Sequence, residues 1–147
     1  MKFTEIMIVE DNQHDVAMIM EALEEKGHGD KVTVLSNGAE ALDYIFGPQG
    51  CLGHPHSACP RFILLDLKLP KVEGLEVLQR LKNDPRIRDV PVVIFTSSNE
   101  TRDRQESYRR GANSYLVKPM DADQFSQCVN RLATYWLTMN RTPYHDR

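Results

Sequence analysis

Short apolar runs alternate along the chain with longer segments in which apolar residues recur every third and fourth position. Thr4 to Val9 (TEIMIV) is the first run, and Gln13 to Lys26 follows with Val16, Ile19, Met20 and Leu23 at helical spacing. Asn12 stands where it can cap that helix. Lys31 to Leu35 is a second β-branched run, and Asn37 opens a helix through Ala41, Leu42, Ile45 and Phe46. Phe62 to Asp66 (FILLD) is apolar up to its acidic end, as a strand covered on both faces should be. A helix over Gly74 to Asn83 puts Leu75, Leu78 and Leu81 on one side, and Val90 to Thr96 (VPVVIFT) is a fourth strand. Arg102 to Arg110 is a polar helix stopped by Gly111, and Ser114 to Val117 is the fifth strand. The last helix, from Asp121 to about Thr138, carries Phe125, Val129, Leu132 and Trp136 along one stripe.

Strands that alternate with helices in this way predict an α/β domain with a five-stranded parallel sheet. Each crossover is right-handed and the helices cover both faces. The expected architecture is a flavodoxin-like, doubly wound (βα)5 fold of strand order 2-1-3-4-5. Ligands of such sheets gather outside the carboxyl ends of the strands, near the switch between strands 1 and 3. The stretch Gly47 to Pro60 (GPQGCLGHPHSACP) is rich in Gly and Pro and long for an α/β connection. The expected organisation is one domain over 1–138 and a C-terminal tail, 139–147, too short to be an effector domain.

Composition narrows the function classes. The 147 residues are 41% hydrophobic and 27% charged with a net charge of −3, which fits one globular domain with a full core. The acidic balance argues against a nucleic-acid partner. No membrane-length apolar stretch and no signal-peptide pattern is present, so a cytoplasmic location without a membrane partner is expected. The three cysteines, Cys51, Cys59 and Cys128, are an odd number without framework spacing, and are expected as free thiols rather than a structural disulfide. Cys51, His54, His56 and Cys59 do form C-x2-H-x-H-x2-C, a set of zinc-type ligands. That spacing is not a standard finger pattern, and a plain loop is the expectation.

The chemistry falls on the strand ends. Strand 1 ends in Glu10-Asp11, strand 3 in Asp66, strand 4 in Thr96-Ser97 and strand 5 in Lys118-Pro119, all on one rim. Taken singly, the acidic pair is a helix cap, Asp66 a turn residue and Lys118 a strand exit. Together, three carboxylates on one rim repel one another unless a positive charge holds them. A hard dication such as Mg2+, bound through carboxylates, water and phosphate oxygens, fits that demand. The Lys68 backbone carbonyl offers a further oxygen, while Lys118 and Thr96 are placed to meet phosphoryl oxygens.

The segments IMIVEDN (Ile6 to Asn12), ILLDLKLPKVEGLEVL (Ile63 to Leu78), VPVVIFTSS (Val90 to Ser98) and GANSYLVKP (Gly111 to Pro119) closely resemble receiver domains of two-component response regulators. The likeness runs in order and spacing from about Glu5 to Leu137. It implies that Asp66 is the phospho-acceptor, served by a histidine kinase, and that Glu10, Asp11, Asp66 and the Lys68 carbonyl hold Mg2+, for which Mn2+ can substitute. It further implies that Lys118 and Thr96 bind the phosphoryl group and that Thr96 and Tyr115 form the switch. On this reading the protein is not an enzyme with an external substrate; it catalyses only its own phosphorylation from a phosphodonor and its own dephosphorylation. The loop before strand 3, the ILLDLxLPK segment and the ending YWLTMNRTP resemble, more narrowly, the single-domain regulators paired with cyanobacterial phytochrome kinases.

Lys68 stands where that subfamily often has Asn, and its ammonium is expected either to slow hydrolysis at Asp66 or to be a solvated loop cation. Tyr135, Leu137 and Met139 are expected to point away from the core and, with Tyr144, to offer an apolar patch for a two-fold homodimer through the last helix and tail. Three rivals are weaker. A haloacid-dehalogenase phosphatase needs a second Asp where Lys68 stands, and a flavin binder needs a phosphate loop after strand 1. A degenerate scaffold would lack phosphorylation residues that are all present here.

Overall fold

The structure is a computed structural model that describes residues 4–54 and 59–143. Its strands are β1 (Ile6–Val9), β2 (Val32–Leu35), β3 (Phe62–Leu65), β4 (Val92–Thr96) and β5 (Ser114–Val117). Its helices are α1 (Gln13–Glu25), α2 (Gly38–Phe46), α3 (Gly74–Asn83), α4 (Thr101–Arg109) and α5 (Ala122–Thr134). The sheet has the predicted order β2-β1-β3-β4-β5, and every pairing is parallel. Asn12 and Asn37 cap α1 and α2, each side-chain oxygen accepting a backbone N–H of the first turn, from Asp15 and Glu40 respectively.

Alternation along the strands separates two cores. Met7, Val9, Ile63, Leu65, Val92 and Ile94 face Ala41 and Ile45 of α2 and Val77, Leu78 and Leu81 of α3. Ile6, Ile8, Phe62, Leu64, Val93 and Phe95 face the other way, onto Ile19 and Leu23 of α1 and Phe125, Val129 and Leu132 of α5. The Phe95 and Phe125 rings meet at 5.2 Å in a tilted pair. The central strands β1, β3 and β4 are buried throughout, so their carboxyl ends are held rigidly side by side. Helix α4 differs: Ser107 is its only buried residue, so little apolar area ties it to the sheet.

Two expectations are corrected. Cys51 and Cys59 form a disulfide, with Cα atoms 5.1 Å apart, where free thiols were expected. A short 3-10 segment, Cys51–Gly53, buries Cys51 beside the α2–α3 core, and Cys59 is buried against the same core. Cys128 is the free cysteine. The pairing takes both sulfurs from the zinc-type set; His54 is exposed, and His56 lies outside the described residues.

The second correction concerns the last helix. Its α-helical part stops at Thr134 and continues as a π-helical turn, Tyr135–Met139, in which the Asn140 amide donates to the Tyr135 carbonyl at 2.7 Å. The wider turn rotates Leu137 inward, where it is buried, and leaves Trp136 half-buried at the core edge. Leu137 therefore belongs to the core. Tyr135 and Met139 remain exposed as expected, and Tyr144 lies outside the described residues.

Candidate functional site

Parallel pairing puts the ends of β1, β3, β4 and β5 on one rim, and close backbone bonds fix their heights. The Glu10 amide donates to the Leu35 carbonyl at 3.0 Å, that of Asp66 to Val9 at 3.1 Å, and that of Lys118 to Thr96 at 2.7 Å. Beneath Asp66 the β3–α3 loop folds back so tightly that a Cβ on Gly74 would lie 2.2 Å from the Asp66 carbonyl oxygen. Lys71, in the same loop, has φ 70°, in the left-handed region.

Glu10, Asp11 and Asp66 each offer a carboxylate oxygen within 4.8 Å of the others. Glu10 and Asp66 are buried, and Asp11 is exposed at the mouth. The Lys118 ammonium donates to Glu10 Oε1 at 2.5 Å, Asp15 Oδ2 at 2.7 Å and Asp66 Oδ2 at 2.9 Å. The other Asp66 oxygen accepts the Leu67 amide at 2.7 Å, and Glu10 Oε2 accepts the Asn12 amide at 3.1 Å. One ammonium thus serves three carboxylates. Burial, and then the charge of Asp66, push the Glu10 carboxyl up to about 7, although Lys118 and the Asn12 amide pull it back. Burial pulls the Lys118 ammonium down, but its bonds to Asp15, Glu10 and Asp66 more than reverse this and hold it above the ordinary lysine value.

These residues fit a hard divalent cation. They are oxygen donors, they carry surplus negative charge, and among the described residues they converge where one cationic side chain, Lys118, balances them. Lys68 lies beside them on a cleft of about 450 Å³ shared with Asp11, Glu73 and Asp103. Its side chain is exposed and is in no ion pair among the described residues.

The predicted switch residues lie on the other side of Asp66. Thr96 is fully buried, and its hydroxyl oxygen accepts the Ser98 amide at 3.3 Å. Tyr115 is half-buried, packs against the α2–α3 core and donates to the Ser98 carbonyl at 3.0 Å.

Two contributors escaped the sequence reading. Asp15 is a first-turn acid of α1, yet it faces Lys118; its place in the helical turn that directly follows the Glu10-Asp11 strand end was the available signal. Ser98 looked like loop, yet its hydroxyl donates to Asp103 Oδ2 at 2.5 Å and so links the Thr96–Tyr115 region to α4.

Residues 6–130 match the family model of the response regulator receiver domain. The chain is similar to the probable methanogenesis regulatory protein FilR2 of Methanothrix harundinacea (strain 6Ac), 39% identical over 94% of this chain and 86% of that one. It is 33% identical to the response regulator Rcp1 of Synechocystis sp., over 90% of this chain and 88% of that one. The Mn2+-bound form of Rcp1 superposes with a TM-score of 0.82, covering 95% of this chain and 99% of that one. The phosphorylated cyanobacterial phytochrome response regulator RcpA superposes with a TM-score of 0.84 at 35% identity, covering 95% of this chain and 98% of that one. With the fold, the strand-end residues and these relatives in agreement, the chain belongs to the receiver-domain family of two-component response regulators.

Proposed function

We propose that Asp66 accepts a phosphoryl group from the phosphohistidine of a partner histidine kinase in a Mg2+-dependent reaction. The observation that carries this reading is the convergence of Glu10, Asp11 and Asp66 within 4.8 Å, with the Lys118 ammonium on the Asp66 oxygen. In the step, an Asp66 carboxylate oxygen attacks phosphorus, the bond from phosphorus to the kinase histidine nitrogen breaks, and that nitrogen keeps the electron pair. Glu10, Asp11, Asp66 and the Lys68 carbonyl would hold Mg2+, which would supply positive charge to the transferring oxygens. Lys118 meets one phosphoryl oxygen as a point charge, and the Thr96 hydroxyl donates to another. Water later hydrolyses the acyl phosphate, so the chain catalyses only its own modification and its loss.

Output then passes to protein contacts. Drawing the Thr96 hydroxyl toward the phosphoryl group removes the acceptor of the Ser98 amide, and Ser98 is bonded to both Tyr115 and Asp103. The lightly anchored α4 is the element free to respond, which shifts the population of the α4–β5–α5 face. On this reading residues 1–138 are the receiver and 139–147 a tail, and the protein works in the cytoplasm beside its kinase. Among the described residues no helix is long and apolar enough to cross a membrane. Homodimerisation through α5 and the tail is supported by exposed Tyr135 and Met139. A groove of about 780 Å³ beside them, between β5 and α5, is lined by Leu116, Cys128, Leu132 and Trp136.

The likeness to RcpA and Rcp1 supports a phytochrome-type kinase as donor; the likeness to FilR2 makes a non-photosensory kinase the alternative. The deciding experiment incubates the chain with acetyl phosphate and Mg2+, then with each class of phosphorylated kinase. Acid-labile labelling that disappears in Asp66→Asn is expected; an unlabelled parent chain refutes the reading. Sedimentation that shows a monomer with and without beryllofluoride removes the dimer.

A further inference from the structure

An ammonium has three N–H donors, and Lys118 spends one on each of three carboxylates. Two of these, Glu10 and Asp66, belong to the cluster suited to a divalent cation. Asp15 does not. It sits in the first turn of α1, where its amide donates to the Asn12 side chain at 2.9 Å, and its carboxylate reaches across to β5. Its side chain is 20% exposed while that of Lys118 is 8% exposed, so the pair is shielded from water.

The demands on Lys118 conflict. If Glu10 and Asp66 turn to a cation, a buried ammonium loses two of its partners, and an unpaired buried charge is costly. Without another anion, Lys118 would hold on to those carboxylates and compete with the cation for them. Asp15 supplies that anion at 2.7 Å, outside the metal cluster. We propose that Asp15 is a positioning residue that anchors Lys118: it keeps the ammonium when Glu10 and Asp66 turn to the metal, and leaves its other N–H groups directed at the phosphoryl position. This rests on the reading of Asp66 as a Mg2+-dependent acceptor.

The test is a four-cornered titration. Mg2+ alone, with no phosphodonor, is titrated calorimetrically into the full chain, into Asp15→Asn, into Lys118→Met and into the double variant. Asp15→Asn is expected to weaken Mg2+ binding about tenfold while Lys118 is present, the effect of one charge-assisted hydrogen bond. In the Lys118→Met background it is expected to cost less than about threefold, because only a screened distant charge is then lost. Asp15→Glu, which keeps the anion, is expected to restore most of the affinity. Equal losses in both backgrounds would make Asp15 a distant charge and overturn the anchor, as would an unchanged affinity in Asp15→Asn. A parallel labelling arm with acetyl phosphate at saturating Mg2+ expects slower formation of the acyl phosphate in Asp15→Asn and recovery in Asp15→Glu. If the parent does not label while the titrations follow the pattern, the acceptor reading fails and the anchor stands.

Discussion

Glu10 makes the metal-free site sensitive to pH in a direction opposite to that of most carboxylates. It is 3% exposed, and burial, followed by the charge of Asp66, moves its carboxyl from 4.5 to about 7. Between those values the unfolded chain has released the proton and the folded chain still holds it. The stability contributed by neutral Glu10 is therefore complete below about pH 4.5 and is lost as pH rises through about 7. At about 1.4 kcal/mol per unit, that interval amounts to about 3 kcal/mol. The perturbation is Glu10→Gln, which keeps the shape and cannot ionise. Urea unfolding followed by circular dichroism, with a chelator present, compares it with the parent at several pH values from about 5 to about 8. Carboxylates outside this cluster contribute equally to both chains, so the stability of Glu10→Gln over the parent is expected to grow by roughly 2 to 3 kcal/mol across the range. Saturating Mg2+ is expected to abolish that growth, because the metal needs the ionised carboxylate. Parallel stability curves without metal would show that Lys118 and the Asn12 amide fully offset burial, and would refute the reasoning.

Further outcomes follow from the loops and the last turn. Gly74→Ala places a Cβ 2.2 Å from the Asp66 carbonyl oxygen, so the β3–α3 loop must move; a loss of about 2 kcal/mol in urea unfolding and slower labelling of Asp66 are expected. Leu137→Ala is expected to cost about 3 kcal/mol and Trp136→Ala less, the reverse of what an unbroken α-helix requires, and paired unfolding curves decide it. Reduction of Cys51–Cys59 is expected to cost about 2 to 3 kcal/mol by lengthening the free loop of the unfolded chain. Unfolding midpoints with and without dithiothreitol check this, and the doubly substituted Cys51→Ser, Cys59→Ser chain serves as the insensitive control. Phosphorylated Lys68→Asn is expected to lose its phosphoryl group faster than the parent, measured as acyl-phosphate decay after removal of the donor; equal decay rates would leave Lys68 a solvated cation only.

The residues that were legible in the sequence are those whose positions follow from one strand each. Glu10, Asp66, Thr96 and Lys118 close apolar runs, and parallel winding requires such ends to share a rim, so their meeting is dictated by topology. The features that were not legible depend on geometry between elements. Helical periodicity places Trp136 inward because it assumes 3.6 residues per turn; a π turn changes that phase, and no residue in YWLTM marks it. The disulfide depends on both cysteines being buried against the same α2–α3 core, which spacing alone does not encode.

Asp15 shows why a site's electrostatic balance is harder to read than its nucleophile. As a first-turn acid of a capped helix it satisfies a local rule, and nothing in the sequence pattern asks for more. Its second role exists because α1 starts from the rim where β1 ends, so the first turn of the helix faces the strand ends that hold Lys118. Buried groups impose a condition that strand topology does not: each charge must keep a partner in every state the site visits. Counted over the four carboxylates and one ammonium of this rim, Asp15 is the acid that stays with Lys118 when the other partners turn to a cation.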